Sequence, residues 1–117
     1  FVAGDFYRDE LPKGCDLALL SAIIHQNSAR QNLDLFKKIY RALDKDSTLL
    51  IRDHVMDEMR TYPPAGTLFA INMLVNTKGG GTYTFSEVSG LLKKAGFKDI
   101  RLTKTGEKMD CLVEARK

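Results

Sequence analysis

The chain has 117 residues, of which 44% are hydrophobic and 28% charged, and its formal net charge is +3. That length suits one domain with a modest core, and the composition excludes a disordered chain. With no long basic run and little aromatic interleaving among Lys and Arg, the charge argues against nucleic acid as the main partner.

The pairs Lys37-Lys38 and Lys93-Lys94 read as solvated helix faces. Cys15 and Cys111 are far apart and form no metal-binding spacing, so no metal is expected. Two such cysteines in an α/β chain are expected reduced. No apolar stretch approaches the ~20 residues of a membrane span. Residues 1–15 carry acids and no apolar segment of the signal-peptide kind, so cytoplasm is the expected setting and no membrane partner is expected.

The chain opens at Phe1, without Met, inside Phe1-Val2-Ala3-Gly4-Asp5-Phe6. This reads as the remnant of a strand entering a loop, and so as part of something longer. Residues 16–20 then predict a short buried strand, apolar and preceded by Pro12 and Gly14. Ser28-Ala29-Arg30-Gln31 is a capping box, with Ser at the N-cap and Gln three residues later. The helix it opens places Leu33, Phe36, Ile39, Tyr40 and Leu43 on one face. Asp44-Lys45-Asp46-Ser47 predicts a polar turn, and residues 48–52 the next strand, parallel to the first through a right-handed crossover.

Residues 54–63 read as a polar loop, after which Pro64 fits the first position of a helix. Residues 65–76 are apolar nearly all round, which predicts a helix that is buried or faces a ligand or partner. Gly79-Gly80-Gly81 lacks the Lys-Ser/Thr of a phosphate loop and is read as a flexible connection. Thr84-Phe85-Ser86-Glu87 is a second capping box, and Gly96 stops its helix. Residues 98–104 and 109–115 predict an antiparallel hairpin, with its last strand between 48–52 and 98–104. The result is an α/β chain with a four-stranded mixed sheet and one open edge.

The first two strands each lead to a polar residue beyond their carboxyl ends: His25 and Asp53. Ligands bind at that edge of open parallel sheets. A histidine oriented by a carboxylate is a general-base arrangement. Equally, His25 could be structural at a strand–helix junction, and Asp53 could cap a turn or pair with Arg52 or Arg60. His54 reads mostly as a loop residue. Asn72, polar within an apolar helix, needs a partner in substrate or backbone. Asp5 could be a turn residue, and Phe6 and Met73 could be core.

The ordered set Gly4-Asp5-Phe6-Tyr7, Leu11-Pro12, Asp16-Leu17-Ala18-Leu19-Leu20, Ile24-His25, Leu35-Phe36-Lys37-Lys38-Ile39, Leu50-Ile51, Asn72-Met73-Leu74, Gly79-Gly80, Thr84, Glu87 and Ala95-Gly96-Phe97 resembles the S-adenosylmethionine-dependent O-methyltransferases of plant phenolic and bacterial small-molecule type. The resemblance covers nearly the whole chain. It implies the C-terminal half of a Rossmann-like class I methyltransferase fold, with the glycine-rich cofactor loop upstream of Phe1. It also implies S-adenosyl-L-methionine as cofactor, a small-molecule methyl acceptor and a homodimer.

By the same resemblance Asp5 and Phe6 contact the adenosine part of the cofactor. His25 takes the proton from the acceptor hydroxyl, a carboxylate at Asp53 orients it, and Met73, with Asn72 beside it, lines the acceptor pocket. Ser21 stands where many relatives carry a lysine and is the third position on the cofactor side. Gln26-Asn27 replace the Asp-Trp that follows the histidine in many relatives. Thr82 stands where a second acid is found, and Asp53 is shorter than the usual Glu. Two functions follow as expectations. One is methyl transfer to a small-molecule hydroxyl with His25 as general base. The other is a non-catalytic methyltransferase-like module for oligomerisation or partner binding.

Overall fold

The computed structural model describes all residues 1–117. Residues 1–14 carry a turn at 6–9 but no strand, so the expected strand remnant is absent. The elements then follow as β1 (Cys15–Ser21), a short 3-10 turn (Ile24–Gln26), α1 (Ala29–Ala42), β2 (Leu43–Asp53), β3 (Val55–Met56), α2 (Pro64–Asn76), β4 (Tyr83–Thr84), α3 (Phe85–Ala95), β5 (Lys98–Lys104) and β6 (Cys111–Arg116).

The main sheet has the order β1-β2-β6-β5. β1 and β2 are parallel, while β6 is antiparallel to both β2 and β5. The expected mixed sheet is therefore present, with the final strand between β2 and β5. β6 begins at Cys111 rather than at 109. β2 begins earlier than expected: the pairing jumps from Cys15 opposite Leu43 to Leu17 opposite Thr48. The polar residues 44–47 are a bulge within the strand span, and Asp46 there adopts a φ of 62°.

Both capping boxes form. Ser28 accepts from the Gln31 backbone and Gln31 returns the bond, and Thr84 and Glu87 do the same at α3. Gly96 ends α3 at φ 110°, a left-handed value that suits glycine. These local contacts set where the two helices begin. What holds them is the core: Leu35, Phe36 and Ile39 of α1 and Val88 and Leu92 of α3 close over Leu49, Ile51, Val113 and Ala115 of the sheet. A fully buried side chain of this kind contributes about 1.5–3 kcal/mol.

Side chains alternate along a strand. Leu49 and Ile51 point into the core, so Asp53 in the same phase must also be buried, at 0% exposure. The other phase differs: Leu17 and Leu19 on the edge strand β1 are 53% and 64% exposed. That face of β1 is uncovered, and β1 and β5 are the outer strands of the sheet.

Residues 54–63 are not simply a polar loop. Val55 and Met56 are buried and pair in parallel with Tyr83 and Thr84 in a second, two-stranded sheet. α2 forms where expected but is not buried in this chain. It begins with Pro64 as anticipated, yet Gly66 is its only buried residue. Its apolar side chains Leu68, Ile71, Leu74 and Val75 are 58% to 77% exposed. Cys15 and Cys111 are unpaired.

Candidate active site

β1 runs toward Arg52, where the Ala22 backbone N–H donates to the Arg52 carbonyl at 2.8 Å. Ala22 has a φ of 57°. That left-handed turn costs a residue with a Cβ about 1–2 kcal/mol. It swings the chain off the strand into the 3-10 turn and returns His25 toward the end of β2. Strain of this sort persists where surrounding contacts over-determine it.

Those contacts are present. Nδ1 of His25 lies 2.9 and 3.0 Å from the two oxygens of Asp53. The His25 backbone N–H also reaches Asp53 Oδ2, at 3.4 Å. The backbone N–H of His54 donates to Asp53 Oδ1 at 2.8 Å. A carboxylate only accepts, so this network assigns the hydrogen to Nδ1 of His25 and leaves Nε2 with a free lone pair. Asp53 does not pair with Arg52 or Arg60. Arg52 donates to the Ser21 hydroxyl at 3.2 Å, and Arg60 donates to the Thr82 carbonyl at 3.0 Å and pairs with Glu87.

His54 connects β2 to β3 and belongs to neither, yet it is not exposed as a loop residue usually is. It is 6% exposed, and its Nδ1 is buried without a partner. Burial pushes its pKa below the ordinary 6.5, Asp53 and Asp110 oppose that shift, and His25 adds to it. The Phe69 ring of α2 stands edge-on to His25 at 4.9 Å and tilted against His54 at 4.7 Å. Phe69 escaped the sequence reading, and His54 entered it only as a loop residue. The period-two phase from Leu49 through Asp53 offered one signal for burial here. Nothing in the sequence paired Phe69 with either histidine.

The glycine run is not explained by flexibility. The backbone N–H of Gly81 donates to the His25 carbonyl at 2.8 Å. A Cβ on Gly80 would meet that same carbonyl at 2.5 Å. Close approach to the turn that carries His25 requires glycine there.

The remaining candidates fall in separate places. Asp5 is exposed. Its Oδ1 accepts from the Tyr7 backbone at 2.9 Å, and Arg8 lies 3.7 Å from Oδ2. Phe6 is half-buried against the core, with its ring 4.4 Å from that of Tyr7. Ser21 closes β1 and is held by Arg52. Met73 is half-buried one turn beyond Phe69. Asn72 is exposed, and its partner is the side chain of Asn76 rather than a buried group. No three His, Cys, Asp or Glu side chains converge as a metal cage would require.

The O-methyltransferase domain family matches residues 1–98. The chain belongs to the O-methyltransferase family. It is 33% identical over 113 residues to the acetylserotonin O-methyltransferase of Gallus gallus, covering 97% of this chain and 32% of that protein. It is 36% identical over 99 residues to the 3-hydroxy-5-methyl-1-naphthoate 3-O-methyltransferase of Streptomyces sahachiroi, covering 85% of this chain and 28% of that one. The crystal structure of human N-acetylserotonin methyltransferase in complex with SAM superposes with a TM-score of 0.91 at 33% identity, covering 100% of this chain and 33% of that chain.

The fold is thus of the class I methyltransferase type, and the chain spans about a third of the length of these relatives. Against the family pattern noted above, the Ser21 departure puts a hydroxyl beside the guanidinium of Arg52. The departure at Asn27 places a buried carboxamide directly after the Ile24–Gln26 turn, at 1% exposure.

Proposed function

We propose that this chain is the C-terminal part of a methyltransferase catalytic domain. In the whole protein it serves transfer of a methyl group from S-adenosyl-L-methionine to a hydroxyl of a small molecule, with His25 as general base. The observation that carries this reading is the buried His25–Asp53 pair. An imidazole titrates where a base must work at neutral pH, and the carboxylate holds its tautomer and supports the charge it gains. The relatives that carry acetylserotonin and naphthoate in their names support a small-molecule acceptor.

The residues on the cofactor side fit the adenosine part in kind. The Asp5 carboxylate keeps acceptor capacity after taking one backbone N–H, and the Phe6 ring is partly exposed. A surface cleft of about 300 Å³ is bordered by Gly4, Asp5, Phe6 and Leu11. Ser21, with Arg52 beside it, is the third position on that side. When bound, S-adenosyl-L-methionine supplies an electrophilic methyl on a sulfonium.

The chain's own part is then as follows. His25 Nε2 accepts the acceptor's proton. Asp53 keeps Nδ1 donating and the ring fixed. Phe69 covers one edge of that ring and keeps water from it. Met73, on the same helix face as Phe69, borders the acceptor, and Asn72 is its polar neighbour. Proximity and alignment supply much of the remaining acceleration.

A second reading is a non-catalytic module for oligomerisation or partner binding, favoured by the exposed apolar side chains of α2. The two separate in one assay, in which the full-length protein carrying this chain is given methyl-labelled S-adenosylmethionine and a panel of phenols and alcohols. Label on product oxygen supports the enzyme. Binding of S-adenosylhomocysteine without transfer to any acceptor supports the module. We further infer a homodimer, supported by the same exposed face, and a cytoplasmic setting, supported by the two unpaired cysteines. No helix is long and apolar enough to cross a membrane.

A further inference from the structure

A polar network outside the dyad joins the 5–9 loop to the turn that carries His25. The Tyr7 hydroxyl donates to Asn27 Oδ1 at 2.5 Å. Asn27 Nδ2 donates to Asn32 Oδ1 at 3.0 Å, and Asn32 Nδ2 donates to the Ile24 carbonyl at 2.9 Å. The Tyr83 hydroxyl donates to the Asn27 carbonyl. Burial pushes the Tyr83 pKa above its ordinary 10.0, which keeps that hydroxyl a donor. The loop itself is fastened to α1 by Lys38, whose ammonium donates to the carbonyls of Phe6, Tyr7 and Asp9 at 3.2, 2.8 and 3.1 Å.

Asn27 and Asn32 are each 1% exposed, so their carboxamides require partners. Tyr7 differs, because at 45% exposure its hydroxyl could be satisfied by water. Its bond to Asn27 is therefore not forced by burial. It fixes the distance between the residues after Asp5 and Phe6 and the Ile24–Gln26 turn.

We propose that Tyr7 is a positioning residue, which couples the cofactor-side loop to the catalytic turn through Asn27 and Asn32, so that the adenosine part of S-adenosylmethionine, on engaging the loop, steadies His25. This rests on the reading of Asp5 and Phe6 as cofactor contacts. The bond between neutral groups sets the scale, since one such bond changes an equilibrium about threefold to tenfold.

The test uses the full-length protein carrying this chain, with S-adenosylhomocysteine as probe and Tyr7→Phe as variant. The His25 ring is followed by NMR, assigned with His25→Gln. In the wild type the probe shifts the His25 resonances. In Tyr7→Phe that response shrinks, kcat falls about threefold to tenfold, and the cofactor KM stays within about twofold. A merely structural role would lower Tm without that split. In an Asn27→Ala background, Tyr7→Phe should cost less than about twofold in kcat, since the relay is already cut. Where Asn27→Ala does not fold, the kcat-against-KM split of Tyr7→Phe decides.

An unchanged His25 response and unchanged kcat in Tyr7→Phe would overturn the coupling alone. So would a wild type that binds the probe without any His25 response. A wild type that binds no probe would overturn the cofactor reading, and the coupling with it.

Discussion

Nδ1 of His25 sits almost equidistant from the two oxygens of Asp53, at 2.9 and 3.0 Å, and Asp53 has no exposed surface. The carboxylate takes a third bond from the His54 backbone. One buried acid thereby holds both the ring and the backbone around it. Charge-assisted bonds of this type are stronger than neutral ones.

Asp53→Asn is the variant that separates orientation from basicity. The amide offers an N–H where the carboxylate only accepted, so part of the population turns to the tautomer with hydrogen on Nε2. Turnover should fall, though by less than on removing the ring, while affinity for S-adenosylhomocysteine is unchanged. ¹⁵N NMR of His25 should show the mixed tautomer. An unaltered tautomer with full turnover would contradict the orienting role.

His54 makes a prediction about pH. Its folded pKa lies below its ordinary 6.5 because it is buried. Above 6.5 neither folded nor unfolded chain holds the proton, and the contribution to stability is fully present. As pH falls below 6.5, the unfolded chain takes up the proton first, so stability declines until the folded value is passed. One group gives a slope of at most about 1.4 kcal/mol per pH unit. The stability of the wild type relative to His54→Leu should decline from about pH 7 to about pH 5 in urea denaturation. A difference that does not change with pH would contradict it.

The two capping boxes and the Gly96 stop were legible because each is written in a few neighbouring residues. The bonds of Ser28 with Gln31 and of Thr84 with Glu87 lie within one helical turn, so no tertiary knowledge was needed. The β3–β4 pair was hidden, because two-residue strands have no period to detect and their partners lie 28 residues apart. His25 and Asp53 were each visible at the end of a strand, but their bond depends on the left-handed turn at Ala22. Phe69, His54 and the Tyr7–Asn27 bond join distant segments, and a single sequence carries no record of such meetings. The apolar residues 65–76 form the expected helix with its apolar side chains exposed in this chain, and composition does not say which surface covers them.

That exposed helix predicts self-association. Leu68, Ile71, Leu74 and Val75 lie open on α2, and β1 offers an unpaired edge. Such surfaces find partners. Light scattering at high concentration should show species larger than 13.1 kDa, and Leu74→Lys should move the chain toward monomer. A strictly monomeric wild type would count against this.

The 117-residue chain by itself should bind S-adenosylhomocysteine weakly. On the proposed reading Asp5, Phe6 and Ser21 would meet only part of such a ligand, and relatives are about three times as long. Calorimetry should give a dissociation constant above about 10 μM, or weaker than about −7 kcal/mol. Tighter binding would show that these residues form a complete site.

The most direct measurement is turnover against cofactor affinity for His25→Ala in the full-length protein, with a hydroxyl acceptor. On the proposed role, in which the ring takes the acceptor's proton, kcat should fall about 10²- to 10⁴-fold while S-adenosylhomocysteine binds nearly as before. Asp5→Ala should show the reverse, with affinity falling first. Full turnover by His25→Ala on that acceptor would contradict the assignment of His25 as the base.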